Sequence, residues 1–596
     1  MEVVDVHTHL LPPSHFPLCL WGIDALLTYH YLVSEYFLTA PGWMTPTLLY
    51  SKTVQQQADI IWEALFVRRS PMSEAARGVC TVLQRLGLAD ALRKKDLKAV
   101  RAFYDEYRGD GKGGKAGGKD GKGDKHGKGD KHGKNADDFS DMVFKTAGVK
   151  YCVMTNVPFS AAEAAHWRPS SKPRSSRYRS GLRVDPLLAG DTEAVMEAVR
   201  AAGYERTNEG AREYLREWVG TMEPEYMMAS TPKGFEWGAD GEEPQAAKNN
   251  KAAKNNKAFD ENDLKVVGAF AASASLTSSG GDCCGESGGA STSTSPTLID
   301  EASDLLSSVL IPVCEELDLP VALKIGASRG VNPALLAAGD GVEVATTATL
   351  ERLCRRFPKV KFLATFLSLE NQHEAIVLAS KFTNLHLYGC WWFVNNPSLI
   401  ESITTMRLEM LGPAFTFQHS DCRVLDQLIY KWAHSRAALA KCLTKEVLKM
   451  VESGALYTRR ELRRDVELLC GGCYEDFRGG RERGGRDVGS IEELKAARCA
   501  GAFVVDLRSG DEKHEGSCSG SHSIPWSEWT EVGGGFRVPP AGCSLPADRS
   551  SLIITHCRGG GRGGKAKESL TRMGYKNVLN GAGPQNEKVF GAWTGC

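Results

Sequence analysis

A chain of 596 residues is too long for one compact module, since domains usually run ~100–200 residues, and it has room for several cores. With 73 Lys+Arg against 73 Asp+Glu the formal net charge is zero, so nothing chain-wide draws it to nucleic acid or an anionic membrane. Hydrophobic residues at 42% exclude a wholly disordered chain, while 62 glycines, about 10% against a usual ~7%, point to low-complexity segments.

The chain begins Met1-Glu2-Val3-Val4-Asp5, not with a basic and then apolar signal segment. The longest apolar stretch, around Leu18–Leu27, is broken by Gly22 and Asp24 and falls short of the ~18 residues that span a bilayer. The 17 cysteines form no dense framework, so reduced thiols and a cytoplasmic location are expected. In Val3-Val4-Asp5-Val6-His7-Thr8-His9 two histidines stand two apart at the end of a β-branched run, and strand periodicity aims both rings from one face. That geometry suits a metal chelate.

An amphipathic stretch, Gln55–Arg69, follows. Residues 109–137 repeat glycine, lysine and aspartate with no apolar side chain larger than alanine, and are expected to be a disordered insertion. A second low-complexity insertion covers about 240–297 and includes Cys283-Cys284 in Ser/Thr/Gly-rich sequence. Around these, the apolar runs Val149–Met154, Val321–Ile325, Val360–Thr365, Leu385–Leu387 and Ala414–Gln418 predict buried strands. The intervening stretches Asp191–Ala202, Ile299–Leu317, Thr346–Arg356, Asn396–Leu411, Leu425–Leu439 and Lys445–Val451 predict helices. Repeated β-then-α order means a parallel sheet, and about eight units favour a (β/α)8 TIM-type barrel over 1–478, with an open doubly wound sheet as the alternative.

The glycine-arginine run 479–489 is a linker, and 490–596 is a second, small α/β domain with a parallel sheet. It is expected to place a helix at Ile491–Ala497, strands at Ala502–Leu507 and Ser551–Thr555, and a helix at Gly564–Met573 capped by Gly574. Cys557 then lies between a buried strand and a helix N-terminus, where backbone N–H groups and the helix dipole favour a thiolate.

In the barrel, His419-Ser420-Asp421-Cys422-Arg423 directly follows the last apolar run. First and eighth strands of a barrel are neighbours whose C-terminal ends open on the face that carries active sites. His7, His9 and Asp421 are therefore expected to meet at one divalent metal, zinc or another first-row ion, with water in an open position.

These features resemble the amidohydrolase superfamily, and the finer matches resemble its uronate (glucuronate) isomerase branch. They are His30-Tyr31, Leu182-Arg183-Val184-Asp185-Pro186, Ile325 through Arg329 with Asn332, Gly389 through Trp391-Trp392-Phe393, and Asp421-Cys422-Arg423, in family order over about 1–478. The resemblance implies aldose–ketose isomerisation of a hexuronate, as in glucuronate catabolism. It casts His7, His9 and Asp421 as metal ligands, Arg183 and Arg423 as substrate clamps, Trp391 or Trp392 as pocket wall, and His30, Tyr31 and Asp421 as proton-transfer candidates. The sequence departs from the family in two places. Lys324 stands where the family has histidine, a compact cation in place of an imidazole, and Met154-Thr155-Asn156-Val157-Pro158 lacks the expected acids after threonine.

The stretch 490–596 resembles the rhodanese domain. Val504-Val505-Asp506-Leu507-Arg508, Gly520 through Ile524-Pro525, the loop Cys557 through Arg562, and Gly574-Tyr575-Lys576-Asn577-Val578 carry the likeness. Four residues separate Cys557 from Arg562, where cysteine phosphatases of this fold need five, so the loop suits a persulfide sulfur. Cys557 is then the sulfur-accepting nucleophile, with Arg558 and Arg562 attracting an anionic donor such as thiosulfate. The expected partners are a small sugar acid and that sulfur donor, with no nucleic acid or membrane and with homo-oligomerisation left open. A metal-dependent hydrolase, or a scaffold with a rhodanese-like binding module, are the alternatives.

Overall fold

The computed structural model describes residues 2–108, 135–157, 161–167, 176–189, 192–238, 304–479, 491–509, 512, 520–533, 536–557 and 561–583. The chain divides into two compact units, Met1–Arg478 and Gly479–Cys596. Most of the two expected insertions, and the linker after Gly479, lie outside the described residues, as does Arg558. The end of the first insertion is corrected: Asn135 caps a helix that begins at Ala136, its side chain accepting from the N–H groups of Asp137 and Asp138.

The first unit is built on seven parallel strands in chain order: β1 (Val3–Thr8), β2 (Val149–Asn156), β3 (Tyr178–Arg183), β4 (Met227–Ser230), β5 (Val321–Ile325), β6 (Phe362–Phe366) and β7 (Leu385–Leu387). The helices that return the chain between them include α1 (His30–Phe37), α2 (Ala136–Ala147), α3 (Ala161–Trp167), α4 (Asn208–Met222), α5 (Ile311–Leu317), α6 (Ala348–Arg356), α7 (Gln372–Ala379), α8 (Pro397–Leu411) and α9 (Gln427–Glu452). Every residue of β1, β4, β5 and β6 is buried, as expected where helices cover one sheet face and a barrel interior fills the other.

The expected eighth strand, Ala414–Gln418, closes this TIM-type barrel without forming a ladder. Thr416 makes a single parallel bridge to Tyr388, while the Phe417 N–H donates to the Leu469 carbonyl and is lost to any partner strand. Closure onto β1 passes instead through the next residues. The Ser420 N–H donates to the Asp5 carboxylate at 2.9 Å, the Asp421 N–H to the His7 carbonyl at 3.2 Å, and the His9 N–H to the Cys422 carbonyl at 2.8 Å. Gly389 makes room for this segment: its φ is +64°, and a Cβ there would lie 2.0 Å from the His419 ring.

One buried group at this seam reports on acid stability. His386 on β7 has Nε2 2.8 Å from the Thr416 hydroxyl and its ring stacked on Phe477. Burial, aided by the nearby Arg407 guanidinium, lowers it from 6.5 to about 3. The folded value is depressed, so the unfolded chain takes up the proton first. The contribution is complete above pH 6.5 and is lost as pH falls toward 3. Between pH 6.5 and pH 5 this imidazole is expected to remove about 2 kcal/mol. The urea midpoint of His386→Gln should therefore fall less over that interval than that of the wild type, and equal falls would refute the assignment.

The second unit has a four-stranded, all-parallel sheet of β8 (Phe503–Asp506), β9 (His522–Ser523), β10 (Leu552–His556) and β11 (Asn577–Asn580), in the order β9-β8-β10-β11. Helices α10 (Ile491–Cys499) and α11 (Gly561–Arg572) accompany it, and Ile553, Val505, Leu570 and Tyr575 share one core cluster. No helix among the described residues is long and apolar enough to cross a membrane, and every described cysteine is free.

Candidate functional sites

In the first unit β1 delivers His7 to the C-terminal end of the barrel, and His9 follows one residue beyond the strand. Each imidazole is oriented through its far nitrogen. The Thr155 hydroxyl donates to the Thr8 carbonyl at 3.0 Å, so it accepts from His9 Nδ1–H at 2.9 Å. The Tyr226 hydroxyl donates to the Val6 carbonyl at 2.8 Å, so it accepts the longer, 3.4 Å contact from His7 Nδ1–H. Both Nε2 lone pairs then face the site, the tautomer a metal requires.

Asp421 meets them from the closing segment. Its Oδ1 lies 3.2 Å from His7 Nε2 and 3.3 Å from His9 Nε2, and the three ligand atoms lie within 4.8 Å of one another. Asp421 occupies the left-handed region at φ +55°, which aspartate tolerates better than most residues and which the His7 carbonyl bond holds in place. The three residues that sequence spacing proposed as a cluster are thus brought together.

Lys324 on β5 enters the same group. Its Nζ is 2.7 Å from His7 Nε2, 2.7 Å from Asp421 Oδ1 and 4.4 Å from the centre of the Trp391 ring, and the side chain is 2% exposed. Burial lowers its ammonium to about 8 against the opposing pull of Asp421. Burial, then the Lys324 charge, lowers His7 to about 4, and burial with Arg423 holds His9 well below its ordinary value. Burial alone would raise Asp421, but the Lys324 ammonium holds it well below the usual carboxylate range. The resting state is therefore carboxylate, ammonium and two neutral imidazoles.

The remaining predicted residues ring this group. Trp391 and Trp392 are buried with ring centres 6.1 Å apart, and Trp392 lies 5.5 Å from His30, which in turn contacts Tyr31 at 4.5 Å. Burial raises the Tyr31 hydroxyl well above its ordinary value. Arg183, at the end of β3, pairs with Asp185, whose other oxygen accepts the Ser230 N–H at 2.7 Å. The N–H of Arg423 is fixed by Gln427 at 3.1 Å.

Several participants escaped the sequence reading. Lys324 was marked there only as a departure from the family. Nothing local in the sequence assigns a role to Arg329, whose guanidinium lies 5.3 Å from the Trp392 ring centre, or marks Thr155 and Tyr226 as orienting groups. Glu163 on α3 is buried and accepts from the Asn156 amide at the end of β2 at 2.6 Å.

In the second unit Cys557 follows β10 directly, is 2% exposed, and gives its N–H to the Ala582 carbonyl. Arg562 in the first turn of α11 makes a two-pronged pair with Glu512, at 2.7 and 2.6 Å. Hydrogen bonding to Glu512, and then the neighbouring Cys557, raise its guanidinium above the ordinary value. Asp506 and Arg508 form a second two-pronged pair, at 3.0 and 2.9 Å, that braces the end of β8.

No protein-family model and no curated protein sequence matches the chain. Among solved structures it is similar to a uronate isomerase from Bacillus halodurans C-125, with 34% identity, 81% of this chain and 94% of that chain covered, and a TM-score of 0.63. A glucuronate isomerase from Caulobacter crescentus shares the fold at 12% identity, covering 81% and 92% with a TM-score of 0.52. A human single-domain sulfurtransferase is 26% identical over 17% of this chain and 95% of that chain, with a TM-score of 0.14 that leaves the second unit to be read from its own residues.

Proposed function

The chain belongs to the uronate isomerase family, and from that premise we propose that Met1–Arg478 interconverts a hexuronate such as D-glucuronate and its ketose partner. The supporting observation is the convergence of His7, His9 and Asp421 at the ends of the first strand and the closing segment of the barrel. Two Nε2 lone pairs and a carboxylate oxygen are a donor set that fits a divalent first-row ion, zinc among them. Bound there, such an ion supplies polarisation of the substrate carbonyl and neutralises developing negative charge.

The protein's own groups account for the rest. Arg183 and Arg423 hold the sugar's carboxylate and hydroxyl oxygens through charge-assisted bonds. Trp391 and Trp392 wall the sugar and exclude water. Proton transfer between C2 and C1 falls to His30, with Tyr31 beside it. Asp421, with a carboxylate held far below its ordinary proton affinity, acts as a ligand rather than as the base. Tyr31 keeps its proton and serves as a donor to the developing oxyanion.

The second unit is a rhodanese-like sulfurtransferase module in this reading, with Cys557 carrying a persulfide and a sulfur donor such as thiosulfate as its partner. A reducing, cytoplasmic setting, in which Cys557 can cycle between thiolate and persulfide, is part of this reading. The test of the barrel reading is incubation of the full chain with D-glucuronate across added zinc, manganese and magnesium, with the ketouronate measured directly. Turnover with at least one ion is expected. No ketose under any of them overturns the proposal, and ester or amide hydrolysis instead would put a metal-dependent hydrolase in its place.

A further inference from the structure

We infer that the Lys324 ammonium is a built-in competitor for the cation position, holding the His7–His9–Asp421 group together without metal and weakening metal binding. The inference rests on the proposed metal role of that group. Its geometric basis is the spacing of acceptors. With both far nitrogens protonated, His7 Nε2 and Asp421 Oδ1 face each other across 3.2 Å as two lone-pair bearers, a repulsive contact unless a positive group lies between or beside them.

Lys324 supplies that group, donating to both at 2.7 Å and presenting its remaining face to Trp391. A first-row ion would draw on the same lone pairs, at ~2.0–2.2 Å from nitrogen and oxygen. An imidazole nitrogen that accepts from an ammonium cannot donate to a metal at the same moment. The lysine also opposes the ion by charge. A unit charge about 4 Å from a dication lowers affinity by well over 100-fold even at an effective dielectric of ~20. Loading the site therefore requires the ammonium to leave His7 and Asp421. The site thereby stays assembled when metal is scarce.

Calorimetric zinc titration of the metal-stripped full chain tests this, beside Lys324→Met and Lys324→Gln, the latter keeping a hydrogen-bonding side chain without the charge. Zinc taken up by other histidines and cysteines is subtracted using His9→Ala in each background. The expected result is zinc binding at least ~100-fold tighter in Lys324→Met than in the wild type, with Lys324→Gln following it. The metal-free variant should also unfold at a lower temperature than the wild type and be restored by zinc. Affinities equal within threefold overturn the inference and leave the metal reading intact. No zinc binding at this group in any of the three proteins overturns the metal reading and the inference with it. Should Lys324→Met fail to fold, the comparison of Lys324→Gln with the wild type decides by the same criterion.

Discussion

The Asp421→Asn chain is expected to lose about 3–5 kcal/mol of stability at pH 7, together with all uronate turnover. Lys324 is buried in the barrel, and Asp421 is the carboxylate in ion-pair contact with it. Removing that charge leaves an ammonium facing two neutral imidazoles and an indole, and a buried unpaired charge is the expensive case. The pH dependence separates this cause from lost packing. Burial already depresses the Lys324 ammonium from 10.5 to about 8 with the carboxylate present, and without it the value falls further. A depressed lysine makes the unfolded chain the better proton binder, so stability rises with pH between the folded value and 10.5. In the wild type that rise starts near pH 8, whereas in Asp421→Asn it starts lower, so the gap between the two should narrow as pH rises from 7 to 8.5. Urea unfolding at both pH values checks it. The double variant Asp421→Asn/Lys324→Met should regain most of the stability and none of the turnover. A single variant within 1 kcal/mol of the wild type would show that the ion pair does not hold the site together.

Much of this centre was legible because its parts are local. Period-two spacing is enough to bring His7, on β1, and His9, one residue past its end, to the same site, and a polar cluster after an apolar run is enough to nominate Asp421. The strand Val321–Ile325 was readable to the residue, since a short apolar run broken only by Lys324 and flanked by Pro320 and Gly326 has few other fates. The unread parts depend on contacts across the barrel. The destination of Lys324 follows from β5 facing β1 across the interior, and the orienting role of Thr155 follows from the pairing of β1 with β2, neither of which leaves a sequence pattern. The strands Tyr178–Arg183 and Met227–Ser230 were missed because their Ser, Gly, Arg and Met content dilutes the β-branched signature. Two predicted helices, Leu425–Leu439 and Lys445–Val451, are one helix, Gln427–Glu452. The residues between them include no glycine or proline, and Thr444 bonds back to the Ala440 carbonyl, so nothing stops the turn sequence.

Cyanide-dependent formation of thiocyanate from thiosulfate is expected for the wild-type chain, and Cys557→Ser should reduce it to background. The reaction asks for a thiolate that attacks the outer sulfur of thiosulfate, forming a Cys–S–S bond and releasing sulfite. Cyanide then removes that sulfur as thiocyanate and regenerates the thiolate. Position supports the role. Cys557 directly follows β10, with four residues between it and Arg562, and α11 begins at Gly561 within that interval. Serine preserves shape but not the polarisable sulfur, so a fold-neutral variant with no persulfide is the expected product, read as a wild-type protein one sulfur atom heavier after thiosulfate and a variant that is unchanged. The Arg562–Glu512 pair adds a condition: the guanidinium already carries a carboxylate, so an anionic donor must compete with Glu512 for it. Persulfide formation that persists in Cys557→Ser would move the chemistry to another cysteine. A wild type that forms none but hydrolyses an aryl phosphate would mean that the four-residue loop accommodates a phosphoryl group after all, and the distinction drawn from its length would fail.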